Sequence, residues 1–309
     1  MLHRTFVLLL ILLAVPTLRE QATPTPQPCS LPSRLSAGIR AGVIDGGLPN
    51  NVRRAPTVSA TRLGQIPAGG LFSVLDGPRC AEGYVWWQVV YQGVTGWTAE
   101  GDPATRTYWL QPLPVLDVDD DALAGCLAPP EDYTQVALGA AVLNARTLAM
   151  LDYAQGLYHA MGGAAVDFRR AITQGSYTGG YVAASFGTHD GGGALDLSVR
   201  GAEDFRVLYD DIPLMLRALR VAGFAAWLRE PDELHPGSPI HIHAIAIGDA
   251  ELSPAAREQI DGVYGYLRGY NGLPQEDGQP RPDTSGEMVV CPWMAAQGYN
   301  DMRNIDFGK

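Results

Sequence analysis

Glycine and proline recur throughout the chain and restrict its fold more than any other feature. The 309 residues include 36 glycines and 23 prolines, about a fifth of the total. Glycine weakens helix interiors and proline interrupts them, so the composition excludes a coiled coil or a plain helical bundle. The length predicts two domains rather than one. We therefore expect a loop-rich protein that contains β-structure.

The charge balance restricts the partners of the chain. Acidic residues outnumber basic ones 33 to 22, which gives a formal net charge of −11 and a pI near 4.9. Proteins that bind a phosphate backbone neutralise it with lysine and arginine, so we expect no nucleic-acid partner. With 46% apolar and 18% charged residues, the composition is that of a globular protein rather than a disordered one.

The first 22 residues are typical of a secretory signal peptide. A basic start, Met1–Arg4, precedes the unbroken apolar run Phe6–Val15. This run is shorter than the roughly 20 residues that a membrane span needs. We expect a secreted or cell-surface protein with no stable membrane span after signal cleavage. An uncleaved anchor stays open as an alternative, because no small-x-small cleavage site is evident.

Export changes the interpretation of the four cysteines. An even number in an oxidising compartment predicts two disulfides, and no CxxC spacing indicates a zinc knuckle or a redox pair. Four cysteines allow three pairings. We favour Cys29–Cys80 and Cys126–Cys291, because each pair then joins the edges of one domain.

Changes in composition and periodicity along the chain define the predicted domains. Residues 39–112 contain short apolar runs separated by turns, which predicts a small all-β barrel. From residue 126 onward, helical and strand-like patterns mix without a regular βαβ repeat, which predicts an α+β domain. The segments are a signal peptide over 1–22, a Pro/Thr-rich spacer over 23–38, the barrel over 39–112, an acidic linker over 113–125, the α+β domain over 126–274 and a loosely held Gly/Pro-rich tail over 275–309 that carries Cys291.

The same patterns locate individual elements. In the barrel we predict strands over Gly42–Ile44, Leu71–Leu75, Trp86–Tyr91 and Thr95–Ala99. In the second domain we predict helices over Val136–Leu157, Ile212–Ala222 and Pro254–Gly269, and strands over Ala194–Val199, Ala225–Leu228 and Ile240–Ile247.

Four pieces of the barrel segment resemble a bacterial SH3-type domain in their spacing and order. They are Leu48–Arg53, Leu63–Gly69, Trp86–Val89 and Gly93–Trp97, and one departure is Arg54-Ala55-Pro56, where the family usually has Ser-Gly-Pro. The resemblance implies binding to cell-wall or other extracellular ligands. Trp86, Trp87 and Trp97 are candidates for a ligand platform, although we expect at least two of them in the core of so small a barrel.

His189 and Asp196 flank three consecutive glycines in the second domain. They are seven positions apart, so on one straight strand they point to opposite faces. The glycines 191–193 supply the backbone freedom for a bend that turns both side chains inward. Asp196 also lies in an apolar segment, where a buried carboxylate needs a cationic partner such as a metal ion.

His241 and His243 provide two further candidate side chains. They are two positions apart in the apolar segment Ile240–Ile247, so both project from the same face of a strand. Together with His189 and Asp196 they supply the nitrogen and oxygen ligands that zinc requires. Three protein ligands and one open position indicate a catalytic rather than a structural zinc site.

The combination resembles the zinc-binding core of the D-alanyl-D-alanine metallopeptidases and of the hedgehog signalling domain. In the signature S-x-H-x-x-G-x-A-x-D, this chain matches every position from the histidine to the aspartate. Gly187 stands in place of the serine, with Ser185 nearby. The resemblance implies that His189, Asp196 and His243 bind Zn²⁺. It also implies that His241 is the active-site residue of the His-x-His pair.

Two departures concern the rest of the machinery. The family often carries a glutamate shortly before the final histidine, whereas here the nearest carboxylate upstream is Glu233. Glu233 and His235, just upstream, are candidates for the general base, and His241 is the alternative. The family's substrate-binding arginine usually ends a "GYRS"-like strand, and the comparable stretch Gln174–Tyr177 holds none. We retain Tyr177 and Ser185 as candidate substrate-binding residues.

These inferences predict an exported zinc metallopeptidase that consists of a small all-β SH3-like barrel and an α+β hedgehog/DD-peptidase-like domain. Its substrate would be a peptidoglycan stem peptide, which it would cleave in the manner of a D-Ala-D-Ala carboxypeptidase or endopeptidase. The SH3-type domain would hold the enzyme on the cell wall. The alternative is a non-catalytic cell-wall or ligand-binding protein that retains the zinc fold, which the missing glutamate favours. A zinc hydrolase of a non-peptide substrate is a third interpretation.

Overall fold

Two antiparallel sheets form the framework of the described chain. The computed structural model describes residues 29, 31–113, 125–180, 182, 185–274 and 278–303. The expected signal peptide over 1–22 and the acidic run Asp117–Asp121 lie outside these residues. Within the described ranges, no helix is both long and apolar enough to cross a bilayer.

The N-terminal sheet has seven antiparallel strands. They are β1 (Arg40–Val43), β2 (Asn50–Arg53), β3 (Arg62–Ile66), β4 (Leu71–Ala81), β5 (Tyr84–Tyr91), β6 (Val94–Ala99) and β9 (Leu110–Pro112), with a small β7 (Gly101–Asp102) and β8 (Thr107–Tyr108) ladder beside them. Their order in the sheet is β3-β2-β6-β5-β4-β1-β9. Two-residue turns with positive φ at both positions, Glu82-Gly83 and Gln92-Gly93, join β4 to β5 and β5 to β6, a geometry that suits the twist of the strands. All four strands predicted in this segment are present, with β4 much longer than expected.

The core of this sheet contains the tryptophans. Trp86, Trp87 and Trp97 are all buried, and the Trp87 indole N–H donates to Glu100 at 2.9 Å. The expectation that at least two of them belong to the core is confirmed, and none forms an exposed platform. Cys29 and Cys80 are paired as favoured from the sequence.

The C-terminal half combines helices with a second sheet. The elements are β10 (Gln135–Leu138), β11 (Ala141–Asn144), α1 (Ala145–Ala160), α2 (Phe168–Ala171), β12 (Ile172–Gln174), β13 (Ala194–Ser198), α3 (Ile212–Ala222), β14 (Phe224–Arg229), β15 (His241–Ala246), α4 (Pro254–Asp261), a 3₁₀ turn (Tyr266–Arg268) and α5 (Pro292–Ala296). The second sheet has the strand order β12-β13-β15-β14. The β10–β11 hairpin and the helix α1 lead into this sheet, and α3 and α4 flank it.

Both faces of the second sheet are covered. Leu197 and Ile242 belong to the apolar cluster that α1 and α3 form on one face. Ala194, Trp227 and Ile245 belong to the cluster that α4 and the C-terminal residues form on the other. Since side chains alternate along a strand, Asp196, His241 and His243 lie on the second face.

Two of the predicted helices are shorter than expected. The helix over Val136–Leu157 is wrong in its first part, because residues 135–144 form a hairpin that turns at Gly139 with φ 64°. The helix itself begins where Asn144 accepts from the Thr147 N–H at 2.8 Å. The helix over Pro254–Gly269 ends at Asp261, whereas α3 has the predicted bounds.

The C-terminal segment is held firmly, so the expected loose tail is wrong for residues 278–303. Arg220 of α3 pairs with Asp283 at 2.6 Å, and their side chains are only 1% and 5% exposed. Cys291 is fully buried and is bonded to Cys126, the second favoured pair. Val289, Cys291 and Met294 also bury apolar side chains against the second sheet, so the segment is held by apolar burial together with this ion pair.

A polar seam joins the two halves of the chain. The Tyr209 hydroxyl donates to the Val43 carbonyl at 2.7 Å. Arg200 pairs with Asp45 at 2.7 Å, and Arg40 pairs with Glu230. We call these three contacts the seam. They hold the N-terminal sheet directly against the C-terminal half.

Candidate metal centre

The strand register places Asp196 beside His243. These residues are directly opposed partners in the antiparallel β13–β15 pair, and Ser198 opposes His241. Since His241 and His243 are two positions apart, both reach the same face as Asp196. The sheet alone therefore assembles three of the four predicted side chains.

The loop before β13 brings in the fourth, His189. A Cβ added to Gly191 would lie 2.3 Å from the Glu251 carbonyl oxygen, so the chain passes too close to a neighbouring backbone for any side chain. Gly193 has φ +81°, in the left-handed region that favours glycine. These two positions make the bend that turns His189 back towards Asp196, as the sequence predicted.

His189, Asp196 and His243 converge on one point. Each offers one ligand atom, and the three atoms lie within 4.8 Å of one another. His189 Nε2 is 3.3 Å from Asp196 Oδ1, and His243 Nδ1 is 2.7 Å from the same oxygen. A tetrahedral ion with bonds of about 2.0–2.1 Å separates its ligands by about 3.3 Å, so small side-chain adjustments accommodate it.

The hydrogen bonds around the group leave donor atoms for a cation. His189 Nδ1 donates to the Gly175 carbonyl at 2.9 Å, so Nε2 of the neutral ring is an acceptor. It faces a second acceptor, the Asp196 carboxylate. A positive ion between them removes this repulsion, so the residues present fit a metal.

Electrostatics keeps the group in its ligand-competent form. Burial lowers the pKa of His243 to about 4, against the opposing effect of Asp196, so the ring is neutral at pH 7. Burial disfavours the charged form of Asp196, but its contacts with His189 and His243 outweigh burial and hold the pKa of this carboxyl well below the usual range. A neutral imidazole at His243 and an ionised carboxylate at Asp196 are the forms that bind metal.

His241 stands next to the group without joining it. Its Nδ1 donates to the Pro239 carbonyl at 2.8 Å, which leaves Nε2 free to accept a proton. This Nε2 lies 3.8 Å from Asp196 Oδ2. All four residues line one cavity of about 260 Å³, which we call the metal cavity.

Of the predicted site residues Ser185, Tyr177 and Glu233, one lines the metal cavity and two do not. Ser185 lines it and accepts from the Gln174 side chain at 2.6 Å. Tyr177 does not line it, because its hydroxyl is bonded to Glu251. Glu233 does not line it either, since its Oε2 accepts the Glu230 N–H at 2.7 Å. The predicted roles of Tyr177 in substrate binding and of Glu233 as general base therefore lack the required position.

Sequence reasoning missed Arg229 and Gln259, which also line the metal cavity. Arg229 is 1% exposed, and its Nη1 donates to the Asn271 carbonyl at 2.8 Å. Its Nη2 and the Gln259 Oε1 are buried and have no hydrogen-bond partner in the structure. Arg229 follows Trp227 by two positions in an apolar strand, so alternation already placed it on the histidine face.

Comparison with known proteins identifies part of the N-terminal half. No curated protein matches the chain. Residues 46–103 match the family model of the bacterial SH3 domain. They lie within the segment 39–112 for which the sequence indicated that family, and the curled antiparallel sheet is consistent with it. The chain contains a bacterial SH3 domain over residues 46–103.

Proposed function

We propose that the protein is an extracytoplasmic zinc metallopeptidase that cleaves peptidoglycan stem peptides. The convergence of His189, Asp196 and His243 beside a free His241 nitrogen carries this proposal. Bacterial SH3 domains often bind the cell wall, and this domain together with two disulfides favours a location outside the cytoplasm. The second domain, by the resemblance of its motifs, would have the DD-peptidase-like fold.

Three side chains would hold the zinc and leave one position open. His189 and His243 supply nitrogen ligands and Asp196 an oxygen ligand, a set that zinc accepts in catalytic sites. When bound, zinc polarises the scissile carbonyl and lowers the pKa of a water. The Gly175 carbonyl fixes the His189 ring through its Nδ1, as second partners of metal-binding histidines generally do.

His241 is the residue that moves the proton. Its Nε2 takes a proton from the water that attacks the carbonyl carbon, and returns it to the amine nitrogen when the C–N bond breaks. The Pro239 carbonyl holds the other ring nitrogen protonated, so the ring presents the correct tautomer. Arg229 offers a buried donor to an anionic group of the substrate.

Metal analysis followed by incubation with a stem pentapeptide tests the proposal. We expect one zinc per chain and release of the terminal D-alanine. His241→Ala should keep the zinc and lose about 100-fold or more in kcat, whereas His243→Ala should lose both. A His241→Ala variant with unchanged kcat would contradict the assignment.

One observation favours a non-catalytic binding protein instead. Asp196 is the sole carboxylate among the described residues that line the metal cavity, so no glutamate there can act as general base. Zinc retention without hydrolysis of any stem peptide by the unmodified protein would decide for this second function.

A further inference from the structure

A groove continues from the metal cavity to the N-terminal sheet. A cavity of about 450 Å³ adjoins the metal cavity, and a third of about 440 Å³ adjoins the second. We call the second and third cavities together the seam groove. The walls shared with the metal cavity are Phe186, Leu234 and Leu273, and those shared within the seam groove are Gln92, Glu233, Asn271 and Arg281.

The far end of the seam groove is built by the bacterial SH3 domain. Ser73 of β4, Tyr91 of β5 and the Gln92-Gly93 turn line it on one side. Trp227 and Glu230 of the C-terminal half line it on the other. The two halves of the protein thus form the opposite walls of one groove.

The seam fixes the relative position of these walls. Arg40, itself a groove residue, pairs with Glu230 and also donates to the Thr284 carbonyl at 3.2 Å. The Tyr209–Val43 hydrogen bond and the Arg200–Asp45 ion pair add two further ties. When both walls of a binding site are already held in place, less free energy is spent on ordering them when a ligand binds.

Phe186 marks the junction between the metal cavity and the seam groove. This residue is 54% exposed, and its backbone has φ 51°. An aromatic residue in the left-handed region is a genuine outlier, and such strain concentrates at ligand clamps. An apolar ring held in solvent at this junction suits contact with a chain that passes from one cavity to the other.

The chemistry of the walls suits a peptide. Gln92 carries an amide group with both donors and acceptors, and Asn271 offers its amide N–H groups, because its Oδ1 already accepts from the Leu273 N–H at 3.1 Å. These groups match those of a peptide backbone. Asp232 and Glu233 add carboxylates, and Arg281 adds one cation. This mixture favours a polar peptide that bears an amine over an apolar ligand or a polyanion.

We propose that the seam groove binds the part of the substrate peptide that extends away from the scissile bond. The SH3 domain and the metal centre then hold the same molecule, and the SH3 domain selects peptides longer than the metal cavity can contain. This inference rests on the proposed function for the identity of the peptide.

The test measures binding, so it does not depend on hydrolysis. The full-length protein is treated with EDTA and titrated calorimetrically with a stem pentapeptide and with an acetylated D-Ala-D-Ala dipeptide. Gln92→Trp, which fills the groove, and Arg281→Glu, which changes its charge, are compared with Leu48→Trp. Leu48 is 86% exposed in the same half of the chain and does not line the groove. Thermal melting of each variant checks that it folds.

We expect Gln92→Trp and Arg281→Glu to weaken pentapeptide binding about tenfold, with the dipeptide unaffected and Leu48→Trp unchanged. Equal effects on both ligands, or no effect of either groove variant, would overturn the inference while leaving the proposed function intact. If neither ligand binds the unmodified protein, the substrate class is wrong and the inference falls with it.

Discussion

Replacement of Glu230 by glutamine should stabilise the protein above pH 7 and change little below pH 4.5. The Glu230 side chain is 16% exposed and pairs with Arg40 across the seam. Burial raises its pKa from 4.5 to about 7, with Glu233 adding to the effect and Arg40 opposing it. The ionised carboxylate is therefore less stable in the folded chain than in the unfolded one, despite its partner.

The sign and size of the effect follow from this difference. A folded-state pKa above the unfolded value gives a contribution to stability that is complete below pH 4.5 and is lost as the pH rises through 7. The difference between the unfolded-state pKa of 4.5 and the folded-state pKa of about 7 corresponds to about 3 kcal/mol in the free energy of unfolding. Glu230→Gln removes the titration, so its stability relative to the unmodified chain should rise by about that amount between pH 4.5 and 8.

Urea unfolding followed by tryptophan fluorescence at pH 4.5, 6, 7 and 8 measures this difference. EDTA is present throughout, so that metal binding does not contribute. Asp204→Asn serves as the control, because hydrogen bonds from Arg206 hold the pKa of that exposed carboxyl below its usual range. The difference in the free energy of unfolding between Asp204→Asn and the unmodified chain should not change with pH. A constant difference for Glu230→Gln, or one that falls with rising pH, would refute the reasoning.

Three further predictions concern the metal site and the C-terminal segment. Gly191→Ala places a methyl group against backbone atoms, so the affinity for zinc should fall at least about tenfold in competition with a chelating dye. Unchanged affinity would show that the bend at Gly191 does not position His189. Arg220→Met leaves Asp283 buried without its partner and should cost about 3–5 kcal/mol in urea unfolding, whereas a cost near zero would show that the pair is dispensable. Zinc at about 100 times its Kd adds about 2.7 kcal/mol and should raise the Tm by about 5–10 °C in calorimetry; the same shift in His243→Ala would mean that zinc binds elsewhere.

The candidate metal centre was predictable because its geometry depends on local rules. Strand alternation places His241 and His243 on one face, and consecutive glycines allow the bend that brings His189 to Asp196. Neither rule requires knowledge of distant parts of the chain. Bringing His243 to the other two residues needs the long-range register that opposes Asp196 to His243, and for this step the prediction depended on the resemblance of the motifs.

The features that the sequence could not predict depend on contacts between distant residues. The buried Arg229 donates to the carbonyl of Asn271, which lies 42 positions later in the chain. Asp283 reaches Arg220 across 63 positions, which gives order to a segment whose composition alone indicates a tail. Glu233 is near the histidines in sequence, but its loop turns away at Asp232, where φ is 63°.

The Arg220–Asp283 pair also ties the C-terminal residues to the face of the sheet that carries the candidate metal centre. Val289 and Met294 belong to the apolar cluster on that face, and the buried Arg220 has its counter-charge only when Asp283 is in place. Because Cys126 is bonded to Cys291, a cut in the chain between Arg220 and Asp283 would leave this segment attached to the rest of the protein.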